Sequence, residues 1–125
     1  MASIAEQLDE LTKEIDEDAE ALAQLIIDTR KKQKIARNQG DDETADRLRD
    51  KLADQGYQYA ILTECKLKAI DNSAIIADAI KQFKDVKDKM DKAIANVAEL
   101  KKFADAVTTI SGILDQLITK FLVAA

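Results

Sequence analysis

The chain lacks proline, histidine and tryptophan altogether, and it has one cysteine and only three glycines, Gly40, Gly56 and Gly112. Aromatics are scarce: two tyrosines and three phenylalanines in 125 residues. Each absence removes a class of protein. Without histidine there is no imidazole for catalysis, and no Glu-x-x-His pair for a diiron bundle. One cysteine, Cys65, cannot form an internal disulfide, so no disulfide framework exists. Few turn formers argue against the many short strands of a sandwich or barrel. The absence of tryptophan also excludes the W-x-G helical hairpins, whose turn requires it.

What is present is 46% hydrophobic and 34% charged, with a net charge of −5. That composition predicts an all-α fold, and the length fits one domain over residues 1–125. Chains of this size bury about two thirds of their unfolded surface. A core can therefore form without metal or cofactor, and none is expected. The N-terminus lacks the basic start and apolar run of a secretory signal, and the longest uncharged stretch, 106–114, is too short to cross a bilayer. The expected setting is cytoplasmic, with export by a leaderless route still open.

The first helix is predicted over 3–38. Ser3 and Glu6 have capping-box spacing. Apolar residues follow at Ile4, Leu8, Leu11, Ile15, Ala19, Leu22 and Ile26, which share one face. Gly40 suits the left-handed residue past a helix end, and Asp41 or Asp42 suits the next cap. The second helix is predicted over 43–70, on a stripe of Ala45, Leu48, Leu52, Tyr59 and Leu62. Asp71-Asn72-Ser73 marks the next stop.

The third segment carries the most regular pattern. From Ile76 to Phe121 apolar residues alternate steps of three and four, with Ser111 the one polar exception. That predicts a helix over 73–122 with coiled-coil-like packing, and so an elongated antiparallel bundle of three long helices. The lengths do not match, however. At 1.5 Å per residue the three helices would span about 54, 42 and 75 Å. The last would overhang and leave its most apolar stretch bare. Two escapes exist. A break at 108–112, near Gly112, would fold back a short fourth helix. Alternatively a second chain would cover the overhang, and the unbroken phase of the seam favours this.

Candidate chemistry is thin. Asp16, Glu17, Asp18 and Glu20 read as a solvated acidic face. Gly40-Asp41-Asp42-Glu43 lacks calcium-loop spacing. Cys65 has no histidine to act as its base. Arg30, Lys31, Lys32, Lys34 and Arg37 form the one basic cluster, but no aromatic residue lies near it in sequence, so no nucleic-acid partner is expected. Residues 1–28 carry a net charge of −8, and 81–102 carry +3. If helices 1 and 3 run parallel, these stretches lie side by side.

The expected function is non-enzymatic, through protein–protein contact with a second copy or another helical protein. The expected surface is the C-terminal seam Val97, Leu100, Phe103, Ala104, Val107, Ile110, Leu114, Leu117, Ile118 and Phe121. The alternative is a membrane-active helical protein that inserts residues 103–125 while Arg30–Arg37 meet anionic headgroups. Long amphipathic helices ending in an apolar segment resemble components of α-helical pore-forming toxins in general pattern, with no motif behind the likeness.

Overall fold

Ser3 opens the first helix, α1 (Ile4–Asn38), with the capping box its spacing predicts. Its hydroxyl accepts from the Glu6 N–H at 3.1 Å, and the Glu6 carboxylate accepts from the Ser3 N–H at 3.3 Å. A computed structural model describes residues 2–96 and 99–123 of the chain. Gly40 turns the chain after α1 with a φ of 78°, a conformation open to glycine without strain. Asp41 then caps α2 (Asp42–Glu64), accepting from the Thr44 N–H at 3.2 Å. Hydrogen bonding from Thr44, by its side chain first and its N–H second, lowers the Asp41 carboxyl from its usual value.

α2 ends six residues before the predicted Ile70, with Cys65 as an extended cap. The linker beyond it holds a two-residue strand, β1 (Lys66–Leu67). Asn72 then caps α3 (Ser73–Asn96) by accepting from the N–H groups of Ala74 and Ile75 at 2.9 and 3.1 Å. α4 (Leu100–Phe121) and β2 (Leu122–Val123) complete the order, and β2 pairs antiparallel with β1.

The single long helix predicted over 73–122 is therefore two helices. The first is described to Asn96 and the second starts at Leu100, and residues 108–112 are helical throughout. Length explains the position. α2, α3 and α4 have 23, 24 and 22 residues, so all three bury comparable faces. A break at Gly112 would have left unequal partners.

The four helices close one core. α1 lies against α2 and α3, α4 lies against the same two, and the pairs α1/α4 and α2/α3 sit on the diagonals. α1 and α3 run parallel. Gln7 meets Ser73 and Glu10 meets Lys84, the latter at 3.7 Å. The acidic half of α1 thus lies beside the basic part of α3, as the charge pattern predicts. α2 and α4 also run parallel, joined by Arg47–Asp105 at 2.9 Å. The 65–72 linker crosses the end of the bundle to connect diagonal helices. β2 and the end of α4 hold it there: β1 pairs with β2, the Lys68 N–H donates to the Phe121 carbonyl at 2.8 Å, and Lys68 Nζ donates to the Thr119 carbonyl at 2.6 Å.

Candidate functional site

The seam expected to meet a partner is internal. Phe103, Ala104, Val107, Ile110, Leu114, Leu117 and Phe121 are buried, and Leu100 and Ile118 are half-buried. Val97 lies outside the described residues. α2 and α3 cover this face within one chain, and Phe121 rests on Phe83 with ring centroids 6.2 Å apart. Here the chain folds back on itself and covers the seam that was expected to meet a second copy or another helical protein.

Polar groups interrupt the core on three helices. Glu14 and Asp18, one turn apart on α1, are both buried, with Asp18 0% exposed. Of the acidic run expected to be solvated, Asp16, Glu17 and Glu20 are exposed and Asp18 is not. Three oxygens of the buried pair have no partner among the described residues, unless a proton lies between them. Burial supplies that proton: it pushes the Asp18 carboxyl up to about 10, assisted by a hydrogen bond with Glu14 and by Glu14's charge, with Lys87 opposing. Asp18 is thus a protonated acid at neutral pH, a hydrogen-bond donor rather than a charge.

Gln55 and Gln58 on α2 are also buried. Gln55 Nε2 donates to Thr29 Oγ1 at 3.1 Å, and the Thr29 hydroxyl donates to the Leu25 carbonyl at 2.7 Å. Gln58 Nε2 donates to Asp115 Oδ1 at 2.8 Å and to the Ser111 carbonyl at 2.9 Å. These bonds join α1 to α2 and α2 to α4. The signal was in the sequence: Gln55 lies midway across the seven-residue gap between Leu52 and Tyr59.

Among the described residues no three His, Cys, Asp or Glu side chains converge to hold a metal ion. The surface grooves are open. One of about 410 Å³ between α3 and α4 is lined by Gln82, Asp115, Gln116, Thr119 and Lys120. Another, of about 380 Å³, runs past Thr12, Leu62, Leu67 and the half-buried Cys65.

The basic cluster divides by face. Lys32 turns inward, bonded to Asp28 at 2.9 Å and lying 4.4 Å from the Phe103 ring centre. Arg37 reaches Asp42 and Asp46 across the turn. Arg30, Lys31 and Lys34 point to solvent with no ion-pair partner among the described residues. Ile27 and Ile35 lie among them, each 45% exposed. The spacing 27, 30, 31, 34, 35 puts all five on one helical face. The two isoleucines beside the cations are off the core stripe.

No family model, no curated protein and no solved structure matches this chain.

Proposed function

We propose that the chain is a non-enzymatic helical bundle that works through protein–protein contact, and that its working surface is the solvent face of α1. The observation that carries this is the exposed pair Ile27 and Ile35 set among the unpaired cations Arg30, Lys31 and Lys34. Two half-exposed isoleucines are unremarkable singly. Flanked by cations on one turn-by-turn stripe, they give a surface with both an apolar anchor and a charge preference. A cytoplasmic setting suits the free thiol of Cys65.

A photo-crosslinking residue placed at Ile27, at Ile35, and as a control at exposed Lys89 on α3 tests the reading in the source cells. A discrete adduct shared by the two α1 positions and missing at Lys89 is expected. Adducts that do not differ among the three positions, or none at all, remove it.

A second reading keeps membrane activity, favoured by the apolar character of α4, whose inner face is apolar along its whole length apart from Ser111. No helix among the described residues is long and apolar enough to cross a membrane. Insertion would therefore be interfacial, and α4 would first have to leave its place between α2 and α3. Exchange of α4 between copies, which would make the Leu100–Phe121 seam intermolecular, demands the same opening. Failure to co-sediment with anionic liposomes at low salt removes the membrane reading.

A further inference from the structure

The outer line of α1 changes sign halfway along. Asp9, Asp16, Glu17 and Glu20 are exposed on its first half, and Arg30, Lys31 and Lys34 on its second. None of the seven has an ion-pair partner among the described residues. The helix carrying them is unbroken over 35 residues, a length of about 52 Å. Among the described residues no other element lies over this face: α2 and α3 pack on the opposite side, where Leu11, Leu22 and Leu25 are fully buried.

Such a face is complementary to itself when reversed. We propose that its occupant is the same face of a second copy, laid antiparallel across a two-fold axis that passes between Leu25 and Ile26. This rests on the protein-contact reading above and names its partner. The two-fold sets Lys31 against Glu20 of the second copy, Lys34 against its Glu17, and Ile27 against its Gln24. Each pair occurs twice, as a two-fold interface requires. The antiparallel direction also opposes the helix dipoles favourably. A parallel pairing would set acid against acid and cation against cation.

Charge decides between occupants. Residues 1–28 carry nine acids and one base, so an anionic lipid surface lying along α1 is repelled by half of the helix it touches. An acidic peptide engages Arg30, Lys31 and Lys34 and leaves the exposed acids unused. A second copy engages both halves through Lys31–Glu20 and Lys34–Glu17, and the same register sets Ile35 against Asp16 and Arg30 against the buried Ala21. With ion pairs at its rim and little apolar area at its centre, the contact is weak and salt-sensitive.

Charge reversal tests it on the full chain by sedimentation velocity. All substituted residues are exposed, and far-UV circular dichroism checks that each variant folds. The wild-type chain is expected to dimerise at low salt, and raising salt from about 50 to about 500 mM should weaken the dimer about tenfold or more. K31E/K34E and E17K/E20K should each be monomeric. Mixed in equal amounts they should form a heterodimer, because all four pairs become attractive again. A wild-type chain that stays monomeric at about 1 mM and low salt overturns the inference. So does a dimer that both double variants retain, or a pair of variants that fails to recombine. If the wild-type chain is monomeric yet gives a discrete crosslink from Ile27 to a different protein, the second-copy inference falls and the broader contact reading stands. Binding of the wild-type chain to anionic vesicles alone, without dimer, assigns the cations to lipid and overturns both.

Discussion

Replacing Asp18 with asparagine should flatten the dependence of stability on pH. The side chain is 0% exposed, and its carboxyl is raised from 3.8 to about 10, chiefly by burial. Between those values the folded chain holds a proton that the unfolded chain has released. Stability therefore falls as pH rises, by about 1.4 kcal/mol per unit for one such group. The contribution is complete below pH 4 and is lost progressively towards pH 10. From pH 5 to pH 8 the loss is about 4 kcal/mol, a large share of the 5–15 kcal/mol that holds a domain folded. Asparagine keeps the shape and a donor for Glu14 but does not titrate. Urea unfolding of both proteins at pH 5 and pH 8, followed by circular dichroism, reads the difference. The margin of the variant over the wild type should widen by about 4 kcal/mol across that interval. Parallel curves for the two proteins would refute the claim that Asp18 is held protonated in the core.

Two further perturbations follow from packing and backbone. Leu114→Asp puts a charge where the side chain is 0% exposed and should cost upwards of about 4 kcal/mol by chemical unfolding. Leu100→Asp, at a half-buried site, should cost clearly less. Gly56→Ala and Gly112→Ala lie in helices with open space around an added Cβ, so each should stabilise by about 1 kcal/mol. Gly40→Ala should instead destabilise by about 1 kcal/mol because of its positive φ. Thermal melts of the three variants check the sign reversal.

The sequence disclosed what local chemistry decides. Ser3 with Glu6 and the Gly40 turn set both ends of α1, because caps and left-handed residues act within a few positions. The all-α bundle followed from periodicity in the same way. The division of 73–122 into α3 and α4 was not legible, and the reason is physical. α3 and α4 turn their stripes to one common core, so the seam keeps its phase whether the chain runs straight or folds back. Only the lengths of α2, α3 and α4 choose between these, and length matching is a property of the whole bundle. Asp18 was misplaced for a related reason. Three acids around it are solvated, and its own position, in phase with Leu11, Ile15, Leu22 and Leu25, outweighs the company it keeps in sequence. The exposed face of α1 was half legible: the cations stood out as a run, whereas Ile27 and Ile35 became visible once the core had claimed its own residues.

The diagonal linker has a kinetic consequence. α1 and α2 form a hairpin through a tight turn, so their mutual contacts close over short stretches of chain and can form early. The Gln58 bonds to Ser111 and Asp115 instead join residues more than fifty positions apart, across a turn, a crossing and another whole helix. α3 and α4 therefore dock after the α1–α2 hairpin, and slow steps in refolding should report on that docking.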